Sequence, residues 1–151
     1  MTKIKLKIAT PEKVIYEAEI SQITLPTKMG EITILPNHLS LVSSLNPGEI
    51  LIKKDKEEIP MVVSGGFVEF NNNNLVILAD TAERAEEIDL ERAEQARAKA
   101  KDLLDKKQDA DDVDFTALAA KMEKEMARLR VGKKYKKLKL TLQIKTINDE
   151  E

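Results

Sequence analysis

Along the first eighty residues apolar and polar positions alternate with a period of two. Ile4, Leu6 and Ile8 interleave with Lys3, Lys5 and Lys7, which predicts a half-buried strand with a basic outer face, because successive side chains of a strand point to opposite sides. Short segments rich in β-branched residues repeat the signal over Val14–Leu25, Glu31–Leu35, Leu39–Leu45, Glu49–Lys53, Ile59–Val63, Phe67–Phe70 and Leu75–Leu78. Turn-forming residues separate them, at Thr10-Pro11, Lys28-Met29-Gly30, Pro36-Asn37, Asn46-Pro47-Gly48, Gly65-Gly66 and Asn71–Asn74. Regularly spaced short strands predict a sandwich or flattened barrel.

From Glu83 the period lengthens to about 3.6, that of a helix. Leu90, Ala93, Ala96 or Arg97, Ala100 and Leu103 or Leu104 form one stripe. Asp89 is placed to cap its start, and Lys106 and Lys107 suit its end. The polar run Gln108–Asp112 interrupts the pattern. Asp112 or Asp114 can then cap a second helix with apolar positions at Phe115, Leu118, Met122, Met126 and Leu129. Two helices with a short link predict a hairpin. Because one stripe is mostly Ala, the apolar area that joins them is modest and the hairpin is expected to be weakly held.

Gly132 is expected to end the second helix. Beyond it five lysines crowd Lys133–Lys139, and Leu138, Leu140, Leu142 and Ile144 alternate strictly, the pattern of a strand. A lone strand needs an edge to pair with, so 132–151 is expected either to pair, through Leu138–Ile144, with a neighbouring edge or to remain a disordered tail. Gly and Pro mark the same division: all five Pro and four of the five Gly fall at or before Gly66, with neither from Phe67 to Val131. The expected organisation is a β-sandwich over 1–82, a helical hairpin over 83–131 and a basic strand-like tail over 132–151.

Charge and chemistry remove several function classes. In 151 residues, Lys and Arg number 25 against 27 Asp and Glu, so the broad basic field of a nucleic-acid binder is missing. With no Cys and only His38, disulfides, thiol nucleophiles and Cys- or His-rich metal sites are excluded. No segment offers the about 18 apolar residues of a membrane-spanning helix, and the opening MTKIKLKIAT has no apolar signal-peptide core. Gly65-Gly66 is not followed by a helical pattern, so a phosphate-cradling loop is not expected there. No activated Ser or Cys accompanies His38, and Glu86-Glu87 and Asp111-Asp112 lie in hydrated runs. Catalysis has no candidate.

Three segments are more specific: Gly30-Glu31-Ile32-Thr33-Ile34-Leu35-Pro36-Asn37-His38, Val63-Ser64-Gly65-Gly66-Phe67-Val68-Glu69, and Leu78-Ala79-Asp80-Thr81-Ala82-Glu83-Arg84-Ala85-Glu86-Glu87-Ile88-Asp89. In this order and spacing they resemble the epsilon subunits of bacterial F-type ATP synthases. The resemblance covers roughly residues 3 to 131, including Thr10-Pro11-Glu12-Lys13-Val14-Ile15-Tyr16-Glu17 and Arg128-Leu129-Arg130-Val131, and it stops beyond Gly132.

The resemblance implies a ten-stranded β-sandwich followed by two helices, in agreement with the periodicity. It also implies a rotor part without chemistry of its own, peripheral on the cytoplasmic face of the cell membrane. Its sandwich would clamp the gamma subunit and rest on the c-subunit ring, coupling ion translocation to ATP synthesis. By the resemblance Glu31 faces the c ring, and His38, Leu39, Leu41 and Val42 lie near gamma, with Leu41 and Val42 equally readable as ordinary core. The hairpin would either fold compactly or extend along gamma into the alpha/beta hexamer and block ATP hydrolysis. There Lys121, Lys124, Arg128 and Arg130 would meet acidic residues, the alternative being a solvated face. A weakly held hairpin suits such a switch, because it leaves a small free-energy gap between the two states.

Ile88-Asp89-Leu90-Glu91-Arg92-Ala93 matches the motif by which some family members bind a regulatory ATP; no other cofactor is implied. The family completes that site with two basic residues, commonly Arg, here matched by Lys124 and Arg128. Lys lacks the planar fork that grips phosphate. The alternative is a helix cap with an Asp89/Arg92 pair. A different functional class also fits these features, a free-standing ATP-sensing module of sandwich and hairpin.

Overall fold

The period-two segments are strands in the computed structural model, which describes residues 1–106 and 115–149. They are β1 (Ile4–Ala9), β2 (Val14–Ile20), β3 (Gln22–Thr27), β4 (Gly30–Ile34), β5 (Leu41–Leu45), β6 (Gly48–Lys54), β7 (Glu57–Val63), β8 (Gly66–Asn71), β9 (Asn74–Ala79) and β10 (Ala82–Arg84). Their order is β10-β7-β6-β3-β5-β8-β9-β1-β2, with β4 also on β3. β1 and β9 run parallel. β4 takes one edge of β3 across Ile23–Thr27. The opposite edge passes from β6, at Gln22–Thr24, to β5, at Thr27. That hand-over joins the two layers of the sandwich.

The inward residues of both layers form one core. In β1, Ile4, Leu6 and Ile8 are buried while the intervening lysines face outward, as the alternation requires. Ile20, Ile23, Leu25, Ile34, Ile50, Ile52, Met61, Phe70, Leu75 and Ile77 join them. The segment expected as one strand over Val14–Leu25 is two. Its buried positions are Tyr16 and Ile20 and then Ile23 and Leu25, so the inward phase moves from even to odd numbers, and the chain breaks at Ser21 to allow it. β10 escapes a periodicity reading because it has only three residues. It pairs with Met61–Val63 and carries the first unit to Arg84, where the second unit, Ala85–Glu151, begins.

In the second unit a 3-10 turn, Ala85–Glu87, leads to helix α1 (Leu90–Lys106), and helix α2 spans Phe115–Asp149. Asp89 caps α1 as expected, its Oδ1 accepting the Arg92 backbone N–H at 3.0 Å. The expected break at Gln108–Asp112 and the caps Asp112 and Asp114 lie outside the described residues.

Two expectations are overturned. α2 does not end at Gly132, and 133–149 is helix rather than strand or disordered tail. Lys, Leu and Gln are good helix formers, and no sheet edge pairs with this segment among the described residues. Thr141 and Thr146 donate their hydroxyls to the carbonyls of Lys137 and Leu142, each at 3.0 Å, the back-bonding that lets Thr sit inside a helix. On a helix the same alternation sends Leu138 and Leu142 to one side and Leu140 and Ile144 to the other, and all four are exposed.

Gly66 tests the sandwich. Its φ is +132°, and a Cβ there would lie 2.1 Å from the Leu78 carbonyl oxygen and 2.8 Å from Ala79 Cα. Both are backbone atoms that cannot swing away. Gly66→Ala should cost at least about 2 kcal/mol, read as a lower urea midpoint for the loss of β structure.

Candidate functional site

Two exposed features stand on the sandwich. The first is the turn between β3 and β4. Thr27, itself buried, donates its hydroxyl to the Gly30 carbonyl at 2.6 Å and accepts the Met29 N–H at 3.2 Å. This lock presents Met29 and the Glu31 carboxylate to solvent.

The second feature is the segment after β4. Asn37 is in the left-handed region at φ 64°, where its short polar side chain is tolerated. Its backbone N–H donates to Asn73 Oδ1 at 2.6 Å, and Asn73 Nδ2 donates back to Asn37 Oδ1 at 3.0 Å. Ser40 donates to Asn71 Oδ1 at 3.0 Å. These bonds pin the segment to the β8–β9 turn. His38 Nδ1 lies 2.8 Å from the Leu39 carbonyl, and its ring stands edge-on to Phe70, with centroids 6.0 Å apart. Leu39 and Val42 are exposed, 83% and 75%, whereas Leu41 is half-buried and packs on the core.

Sequence reasoning missed two neighbours of this patch. The register pairs Val42 with Glu69, Ser44 with Phe67, and Phe67 with Leu78. Phe67 and Leu78 therefore lie side by side, one pair along from Val42, on the outer face of β5, β8 and β9, and both are exposed. The signal was available: with Val68 and Phe70 inward, alternation turns Phe67 outward.

In the hairpin, Ile88, Asp89, Arg92 and Ala93 cluster at the start of α1. Asp89 and Arg92 are exposed, with 3.7 Å between Asp89 Oδ2 and Arg92 Nε. α2 approaches this end closely at Gly132, where a Cβ would lie 2.6 Å from Leu90 Cδ2 and 3.1 Å from Ile88 Cγ2. In an antiparallel pair that contact puts Arg128 about 6 Å and Lys124 about 12 Å farther along α2, beside the second and third turns of α1 rather than at its capped start. Lys121 and Arg130 are exposed on α2. Farther along, Arg97 hydrogen-bonds Glu94, holding that carboxyl below its ordinary range, and Lys133 of α2 adds attraction.

The apolar stripe of α2 also differs from expectation. Phe115 and Met126 are exposed, and the covered face runs through Leu118, Met122, Glu125, Leu129 and Gly132. Periodicity passed over Glu125 because a carboxylate within an apolar stripe reads as surface. It is buried, and its Oε2 accepts from Arg128 Nη1 at 2.8 Å. Among the described residues no group of acidic or His side chains is arranged to hold a metal ion.

Comparison with known proteins finds two family models that meet near this division. Residues 3–85 match "ATP synthase, Delta/Epsilon chain, beta-sandwich domain", and residues 86–133 match "ATP synthase, Delta/Epsilon chain, long alpha-helix domain". The ATP synthase epsilon chain of Chloroflexus aggregans is 48% identical over 134 residues, covering 88% of this chain and 94% of the relative. That of Trichlorobacter lovleyi is 38% identical over 132 residues, 87% of this chain and 95% of the relative. A chain in a structure of the Euglena gracilis mitochondrial ATP synthase OSCP, F1 and c-ring superposes with a TM-score of 0.70 at 26% identity, covering 83% of this chain and 78% of that one.

The Gly132 contact tests the hairpin. Gly132→Leu, which fills the space held by Leu90 and Ile88, should weaken the α1–α2 packing by about 1–3 kcal/mol while sparing helix content. Spin labels on exposed positions of α1 and α2 should report longer separations, with the far-ultraviolet spectrum unchanged.

Proposed function

This chain belongs to the epsilon-chain family of F-type ATP synthases, and on that premise we propose that it is a non-catalytic rotor subunit whose sandwich binds gamma and the c ring. The observation that carries this reading is the pairing, on one continuous sheet, of a hydrogen-bonded turn offering Met29 and Glu31 with uncovered apolar side chains. Val42, Phe67 and Leu78 are exposed apolar side chains on one outer face, and Leu39 is exposed on the adjoining segment, which the Asn37–Asn73 and Ser40–Asn71 bonds pin. Together they are the proposed gamma contact. Leu41, packed on the core, supports the patch from beneath. Glu31 is the proposed partner of polar or basic loops of the c ring.

A subunit that transmits torque needs stiffness and contact faces rather than reactive groups. The shared core and cross-strand hydrogen bonds supply the stiffness, and His38, held by its neighbours, lacks a nucleophile in the contacts described. Among the described residues no helix is long and apolar enough to cross a membrane, which suits a peripheral place on the cytoplasmic face.

The hairpin supplies regulation in this reading. Extended toward the alpha/beta hexamer, α2 would bring Lys121, Lys124, Arg128 and Arg130 to acidic partners and inhibit ATP hydrolysis. Deleting residues 89–151 from the assembled complex should raise the ATP hydrolysis rate while the shortened chain still copurifies with gamma and the c ring. An unchanged rate would contradict the inhibitory hairpin. Loss of copurification would contradict the sandwich contacts and favour a free-standing ATP-sensing module.

The second reading at the hairpin is a regulatory ATP site of Ile88, Asp89, Arg92, Ala93, Lys124 and Arg128. It is favoured by the Gly132 contact, which sets α2 and its cations alongside α1, whose N-terminal turn favours an anion. Titration of ATP into the full chain should give saturable heat in the millimolar range or below, and no heat at millimolar ATP would contradict it.

A further inference from the structure

We propose that Glu125 is a built-in competitor for nucleotide phosphate, a carboxylate of the chain's own that occupies Arg128 and sets the affinity and charge selectivity of the hairpin site. The inference rests on the ATP reading of that site and goes beyond it to a residue outside the motif. Arg128 Nη1 lies 2.8 Å from Glu125 Oε2, and the two side chains are only 19% and 6% exposed. The Lys106–Asp102 pair, by contrast, is 71% and 61% exposed, and water screens it. Little water reaches Glu125, so its charge is screened less than that of an exposed carboxylate.

Position makes that charge consequential. Glu125 precedes Gly132 by two helical turns and so shares the face of α2 that meets α1. It lies in the turn that joins Lys124 to Arg128. Of the cations proposed to hold the phosphates, Arg92 stands 3.7 Å from Asp89 and Arg128 stands against Glu125. Asp89 and Arg92 are in water and can part at little cost. The Glu125–Arg128 contact is a charge-assisted bond in a poorly hydrated seam. A phosphate reaching Arg128 must therefore either displace Glu125 or share the guanidinium with it and accept the repulsion of a second anion. The repulsion grows with the charge of the ligand, and neither penalty touches the adenosine moiety.

The test is a calorimetric titration of the full chain and of Glu125→Gln with ATP, ADP, AMP and adenosine. Gln keeps the length and an oxygen for Arg128 but removes the charge. Glu125→Gln should bind ATP about tenfold more tightly than the parent, ADP less so and AMP less again, with adenosine unchanged. Glu125→Asp, which keeps the charge, should show no such graded gain. A merely structural role would move all four ligands together, and that result would overturn the proposal. So would a Glu125→Gln that binds ATP equally or more weakly, while the parent's own binding left the ATP reading standing. Absence of binding by every variant would overturn both. Should Glu125→Gln lose helix content, Glu125→Met, of similar length and without charge, must show the same graded gain.

Discussion

Small side chains are what allow the two helices to meet. Ala93 and Ala100 on α1 are buried, and Gly132 on α2 leaves no room for a Cβ beside Leu90 and Ile88. Close backbone approach follows, but little apolar surface is removed from water, and the burial of Glu125 adds a desolvation cost within the same seam. The hairpin is thus well defined in register and modest in energy. That combination is what a two-state element requires, since partners can shift an equilibrium only by as much as they discriminate between its states.

The sandwich follows the opposite logic. Its core holds large side chains, among them Phe70, Met61 and a run of isoleucines, with almost no exposure, and β3 ties the layers together through three neighbours. Loops that carry the exposed features are fixed by side-chain bonds, Thr27 at one and the Asn37–Asn73 exchange at the other. A surface held this way spends little conformational entropy on binding. One polypeptide therefore contains a closely packed sheet body and a helix pair joined by modest apolar area.

Much of this was legible in the sequence, for physical reasons that can be named. Alternation located the strands because one face of each lies on a shared core, and Asp89 marked the start of α1 because a carboxylate there can accept an N–H of the first turn. The break at Ser21 was not marked, since both flanking segments are β-branched and only the phase of burial changes. The tail misled because Lys–Leu alternation has the strand period, while the outcome depended on whether an edge existed to receive it. Gly132 read as a stop signal, whereas its missing Cβ serves packing. Glu125 was invisible for a related reason: whether a carboxylate lies in water or in a seam depends on the partner helix.

Native-state hydrogen exchange of the full chain at low denaturant tests the division between sheet body and helix pair most directly. The account predicts that amides of α1 exchange through an opening of lower free energy and weak denaturant dependence, while those of Ile4–Ile8 and Ile50–Ile52 exchange only through global unfolding. A single common opening free energy, with one denaturant dependence for the strands and α1 alike, would contradict it.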